Sequence, residues 1–535
     1  MKQQYMLYFF FLVICLLSFQ ENSFAQNVGI GINNPVGKLH IKGSANVSQL
    51  VIDANSTQDN SNPLIKLRNS IGTDLLWIHS DDTSNTFIGL NAGRLNNAAS
   101  GGTSNTSIGG SSLFSNTVGS ANTAVGTFSL KSNTEGYFNA ALGYRSLYSN
   151  TTGGYNSAVG QDAMFSNTTG VANSALGNSA FYSNTTGSFN TAVGQSAMFS
   201  NTNGHDNAAL GYDALSSNST GDYNAVVGIS ALRSNTGGNA NTALGTVAMY
   251  ANTTGEANTA TGAYSLGRNI TGYDNTAYGY SSLYNNSTGA GNTAIGSYAL
   301  QNTTASYYNT TLGFFAGYYN NLGWNNTLIG AESYVTASGF YNSIALGNSS
   351  TVTTSNQARI GNSATTSIGG YQNWTSISDG RYKKNIHEDI KGLDFIMKLR
   401  PVTYQLDISG IGKKLNENKS KAWNEDMQTA VREKEKIIQS GFIAQEVETA
   451  AKELGYDFSG VDKPKNENDL YGLRYAEFVV PLVKGMQEQQ LTIEELKKAN
   501  EIMQRTNALQ KNLVEDLLKR IQKLETSFTT KNEKQ

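Results

Sequence analysis

Side chains able to do covalent chemistry are sparse in this 535-residue chain, which holds one cysteine, Cys15, and four histidines, His40, His79, His205 and His387. The histidines have no metal-ligand spacing, and His387 beside Glu388 and Asp389 reads as an exposed turn, so no metal and no cofactor is expected. The densest reactive stretch is Ser378-Asp379-Gly380-Arg381-Tyr382-Lys383-Lys384. A serine becomes a nucleophile when a base removes its proton. A lysine can be that base only where burial or nearby cations leave part of it neutral, and Arg381 and Lys384 are such cations. A spacing of five puts Ser378 and Lys383 about 140° apart on a helix and on opposite faces of a strand, so neither regular element would join them. Asp379-Gly380 is turn chemistry, and a bend there would return Lys383 toward Ser378. On spacing alone the plainer alternative is favoured, in which Ser378 and Asp379 cap a local structure and the cations are solvated. His387 and Glu446 are candidate helpers near this stretch.

The elements that must position these residues fall into regions of contrasting composition. Residues 378–535 hold 27 basic and 26 acidic side chains, whereas residues 85–350 hold 5 and 8. With 55 glycines, 5 prolines and 15% charged residues, the whole chain fits neither a collagen nor an ordinary disordered protein. A net charge of -2 gives no basic excess for nucleic acid or an anionic membrane, so no nucleic-acid partner is expected.

The charge-poor region repeats. Asn-Thr/Ser-Ala-Val/Leu-Gly returns every 17 residues from Asn105 to Asn326, in 14 copies without insertion or deletion, with degenerate copies at Asn85 and Asn342. A run such as Thr191-Ala192-Val193-Gly194 is too short for a helix and reads as a short strand, with Asn-Thr-Thr-Gly segments as corners. One unit cannot bury its few apolar atoms alone. Stacked units can, and strict register lets asparagine and threonine form ladders. Charges occupy no fixed place in the repeat, and no paired carboxylates recur as glycoside hydrolysis would need, which counts against a glycan-degrading spike. This region resembles the head repeats of trimeric bacterial adhesins and phage tail fibres. That likeness implies a parallel β-roll or triangular β-prism of three chains, with a surface or glycan ligand as one possible partner.

Four ordered motifs follow residue 377: the Ser378–Ile386 stretch, Leu399-Arg400-Pro401-Val402-Thr403-Tyr404, Gly441-Phe442-Ile443-Ala444-Gln445-Glu446-Val447, and Tyr475 to Lys484. Together they resemble the intramolecular chaperone domain of endosialidases and other phage tail spikes, a serine-lysine self-cleaving peptidase family. The resemblance implies a domain at the end of a fibre that brings three chains into register and then cuts itself off. Carried over, Ser378 is the nucleophile, Lys383 its partner, and Ile377–Ser378 the scissile bond. A domain that stays attached as a permanent trimer clamp is the competing expectation.

The chain ends carry the remaining signals. Lys2, the 12-residue apolar run Met6–Leu17 and Ser23-Phe24-Ala25 read as a secretory signal, which predicts a secreted or cell-surface protein with no membrane span after its removal. Residues 26–84, with alternating stretches at Val28–Ile32 and Lys38–Lys42, are expected to attach or cap the rod. From Leu482 to Phe528 a 4,3 register runs unbroken through 14 seam positions, ten of them apolar and the others Gln489, Asn500, Asn507 and Gln510. This predicts a coiled coil, with one amphipathic helix packed on its own domain as the alternative. The expected organisation is a signal (1–25), an amino-terminal β module (26–84), a β rod (85–351), a neck (352–377), a chaperone domain (378–484) and a coiled coil (485–528). The expected fold is mostly β, a parallel β-roll or β-prism rod with a carboxyl-terminal α+β domain, assembled as a homotrimer.

Overall fold

The computed structural model describes residues 28–532 except 34, 35, 44, 45, 47, 49, 55–57, 320, 322, 373 and 418–424. The expected signal of residues 1–25, with Cys15, lies outside the described residues. Two compact units make up the chain, residues 1–155 and 156–535.

In the first unit Val28–Ile30 pairs in parallel with Leu39–Ile41. An antiparallel hairpin, Ile65–Arg68 with Asp74–His79, buries Trp77 and His79 and lays its second strand antiparallel on Thr86–Ile88. From there the pairing turns parallel, and Thr86–Ile88, Thr106–Ile108, Thr123–Val125 and Ala140–Leu142 stack in register. The hairpin thus covers an edge where a parallel stack would otherwise leave backbone groups unpaired.

In the second unit twelve three-residue strands follow at the repeat spacing, from Ser157–Val159 to Ile344–Leu346, each parallel to and in register with the next. The fold is therefore mostly β: parallel β-solenoid coils, one repeat per coil, followed by a carboxyl-terminal α+β domain.

The coil that begins at Asn190 shows why the repeat closes on itself. Ala192 points inward and is fully buried, while Thr191 and Val193 point outward. Gly194 has φ 130°, and a Cβ there would stand 2.4 Å from the Gly211 carbonyl oxygen of the next coil, so only glycine fits. Ser196 and Met198 then turn the chain at φ 56° and 53°. That left-handed region costs a bulky residue roughly 1–2 kcal/mol. Met198 is fully buried and its N–H reaches the Ala214 carbonyl at 2.9 Å. Burying such a side chain contributes about 1.5–3 kcal/mol, enough to offset the strain. The same position holds Met164, Phe181 and Leu215, so it asks only for a large apolar group.

Two buried asparagine ladders hold successive coils in register. In one, Asn207 Nδ2 donates to Asn190 Oδ1 at 3.1 Å and to Gly221 O at 2.8 Å, while Asn207 N also reaches Asn190 Oδ1. In the other, Asn218 Nδ2 donates to Asn201 Oδ1 at 2.7 Å and to Gly221 O at 2.9 Å. At these positions the amides are satisfied by partners in the chain, as a buried amide requires. Threonine ladders also form, from hydroxyl to backbone: Thr168 and Thr185 each donate to the threonine carbonyl one coil on.

The final copy departs from the sequence expectation. The ladder position is taken by Ser343, whose N–H reaches Asn326 Oδ1 at 3.1 Å, and not by Asn342. The step then shortens to 14 residues, and Ala358–Ile360 pairs with Ile344–Leu346. Coil structure therefore continues past residue 351 into the segment expected as a neck, because a serine with no side-chain amide frees the last turn from the ladder's fixed length.

The carboxyl-terminal domain contains α1 (Leu393–Ile396), α2 (Ile408–Lys414), α3 (Glu425–Glu435), α4 (Ala444–Glu453) and α5 (Val479–Asn532). Its antiparallel strand pairs are Val402–Tyr404 with Gln439–Gly441 and Val461–Asp462 with Gly472–Leu473. Phe395, Val447, Ala450, Ala451, Phe458, Val461 and Phe478 form the core. The start of α5 belongs to this domain. Glu488 accepts the Leu393 N–H at 2.7 Å, and Gly485 packs against the backbone of Gly392 and Leu393. Beyond Glu488, every residue of α5 through 529 is exposed.

Candidate functional site

The Ser378 stretch is a capped turn. Asp379 lies in extended conformation and its carboxylate accepts the Arg381 N–H at 3.0 Å, opening a short 3-10 turn over Gly380–Tyr382. The Lys383 N–H closes that turn on the Gly380 carbonyl at 3.2 Å. Lys383 then leaves in extended conformation and its Nζ donates to Ser378 Oγ at 2.8 Å. The bend at Asp379-Gly380 thus joins two side chains that neither a helix nor a strand would join. Ser378 and Lys383 are both exposed, and Ile377 is 95% exposed.

Arg381, one of the two cations expected beside Lys383, is engaged by a carboxylate. Its guanidinium pairs with Asp379, Nη2 to Oδ2 at 2.6 Å and Nε to both carboxylate oxygens. The Arg381 hydrogen bonds hold the Asp379 carboxyl below its usual range, and the same bonds raise Arg381. Sequence reasoning read Asp379 as turn chemistry or a local cap and missed that it also pairs with Arg381. The i, i+2 carboxylate–guanidinium spacing was the available signal. His387 is exposed, and Glu446 is held by Arg400, whose hydrogen bonds keep the carboxyl low.

The other three motifs converge away from the turn. Val402–Tyr404 pairs with Gln439–Gly441, and Tyr475 Oη accepts the Phe442 N–H at 3.1 Å. Phe442 stacks on Phe478 at 5.3 Å. A Cβ on Gly441 would stand 2.2 Å from Tyr475 Oη, so a larger residue there would displace the hydroxyl that accepts the Phe442 N–H. Sequence reading also missed a set of contacts between this domain and the last coils, made by Glu417, Lys434, Asn466 and Asp469, because no spacing links residues so far apart. Among the described residues no three histidine, cysteine, aspartate or glutamate side chains are grouped as a metal site, and no helix is long and apolar enough to cross a membrane.

The second unit thus joins repeat coils to a carboxyl-terminal domain that opens with an exposed serine-lysine turn and carries a long exposed helix. Residues 378–456 of that domain match the family described as chaperone of endosialidase. The Tyr475–Lys484 motif lies beyond the matched segment and is tied to it through Tyr475. No curated protein matches the chain.

Proposed function

We propose that the protein is an exported, homotrimeric tail-fibre-like or adhesin-like fibre whose carboxyl-terminal domain aligns three chains and then cuts the chain at Ile377–Ser378. The observation that carries this reading is α5. Its apolar seam residues Leu496, Met503, Leu517 and Leu524 are each at least 47% exposed, and beyond Glu488 it has no cover among the described residues of its own chain. A lone helix with an apolar stripe gains most of its stability from packing that stripe, so partner helices are its natural cover. This disfavours the alternative of a helix packed on its own domain.

The coils support the same assembly. Outward strand positions Leu176, Leu210, Val227, Leu244, Ile295 and Leu312 form an exposed apolar row. Parallel sheets are ordinarily covered on both faces. A row with the coil period is matched along its length by a surface of the same period, which another copy of this chain supplies.

In the proposed cut, Ser378 Oγ attacks the preceding Ile377 carbonyl while Lys383 accepts the hydroxyl proton and passes it to the departing Ser378 amine. The peptide C–N bond breaks as the C–O ester forms. Water then hydrolyses the ester, leaving the Ile377 carboxylate and restoring the serine hydroxyl. A lysine base needs burial or unpaired cations beside it. In the single chain Lys383 is exposed, Arg381 is paired with Asp379 and Lys384 is itself exposed, so the cover is expected from neighbouring copies, and cutting should follow trimer formation. Intact mass combined with light scattering tests both halves. A trimer containing fragments 26–377 and 378–535 is expected. A monodisperse monomer would refute the assembly, and an uncut trimer would leave the permanent clamp.

A further inference from the structure

The coils and the carboxyl-terminal domain are joined twice, once by the chain itself and once by side chains on opposite sides of Ile377–Ser378. The covalent join is bare: Tyr371, Trp374 and Ile377 are each at least 87% exposed. The second join is built. Glu417, 1% exposed, accepts from the backbone N–H and the hydroxyl of Ser363. Lys434 Nζ donates to the carbonyls of Ser363 and Thr365, the latter at 2.6 Å. Asn466 donates to the Thr353 carbonyl at 2.7 Å, and the Thr353 hydroxyl donates to Asp469 at 2.6 Å. Buried Tyr334 donates to the Leu415 carbonyl.

Each of these contacts meets a need of the last coils. Thr353 O, Ser363 N, Ser363 O and Thr365 O are backbone groups at the end of the stack, where no further coil follows to pair them. The domain supplies their partners, as the antiparallel hairpin does for the first coil in the amino-terminal unit. Burial pushes the Tyr334 phenol up to about 12. Burial raises the Glu417 carboxyl against the opposing Ser363 hydrogen bonds, Arg359 and Lys434, and burial lowers Lys434.

We infer that this contact is a non-covalent latch: after the linker is cut, the domain stays seated on the terminal coil as its cap and does not depart. The inference takes the natural cut from the proposed function, but the latch itself can be tested without it. In a Ser378→Ala chain, a protease recognition sequence placed over residues 368–374, whose described members are exposed, lets an added protease make the cut. Gel filtration under native conditions should then return both pieces in one peak, separable only in denaturant. Amide hydrogen exchange over residues 351–365 should be equally slow before and after cutting. Lys434→Met combined with Asn466→Ala should weaken retention on the order of a hundredfold, as loss of partners to buried polar groups does, and should release the domain. The uncut variant is checked first for an unchanged melting profile. Separation of the parent pieces in native buffer, or exchange over 351–365 that accelerates on cutting, would overturn the latch. Because the added protease makes the cut, neither result depends on whether Ser378 is reactive.

Discussion

Ser378 stands at the start of the turn that brings Lys383 back to it, and in the proposed cut the attacking hydroxyl and the departing amine belong to this one residue. Ser378→Ala should abolish the cut, and Lys383→Ala should slow it by about a hundredfold or more, the usual worth of a positioned base. His387→Ala should leave it unchanged. Gel mobility and amino-terminal sequencing of the fragment read all three, and a fragment that begins anywhere but Ser378 would reject the assignment. Asp379→Ala removes the turn's cap and unpairs Arg381; with the turn less firmly held, cutting should slow with no change in where it falls. The Asp379 carboxyl is depressed in the folded chain, so its contribution is present above the ordinary aspartate value. It is lost only as pH falls through that lowered value. The turn should therefore persist through mildly acidic conditions. The proximity of Ser378 and Lys383 was legible from Asp379-Gly380, because turn residues act locally. The Arg381–Asp379 pair was not, since a charge list does not say which neighbour a guanidinium faces.

The second asparagine ladder has a visible end. Asn286 Oδ1 is buried without a hydrogen-bond partner, because the next position is Thr303, whose hydroxyl turns back to Leu300 O. Thr303→Asn should extend the ladder and stabilise the coils by roughly 1 kcal/mol, the net worth of one such bond. Asn201→Ala, in mid-ladder, should destabilise by about 2–4 kcal/mol, since it strands the Asn184 acceptor and the Asn218 donor. Chemical denaturation of the two variants would show shifts of opposite sign, and equal shifts would mean that the ladder does not hold the coils together. Much of this element was readable from sequence: a fixed 17-residue period dictates a stack, Asn and Thr dictate ladders, and the terminal glycine of each strand marks the turn. What could not be read was the left-handed backbone at Ser196 and Met198, which runs against the preference of a bulky side chain and is tolerated only because the interior is there to receive it. The exit of the last coil was hidden for a related reason, since Ser343 keeps the register while Asn342, the more conspicuous residue, does not.

At the scale of the molecule, assembly should be separable from the fold of the domain. Truncation after residue 490 keeps the Gly485 and Glu488 contacts with α1 and removes only exposed helix. It should leave the domain folded but the chains unassembled, prone to aggregate through their exposed strand rows. Leu517→Asp should act likewise and block the cut; light scattering and gel analysis would show it, and a soluble trimer from either variant would refute the role of α5. The coils also have a mechanical character. Their inter-coil hydrogen bonds run along the stacking direction, so a pull in that direction loads successive coils in series, like links of one chain. A coil that gives way releases its 17 residues, roughly 55 Å of extended chain in place of about 4.8 Å of stack. Tethered between two anchor points, such a stack would answer a sudden tug by lengthening in equal steps, shedding load one repeat at a time before anything covalent is strained.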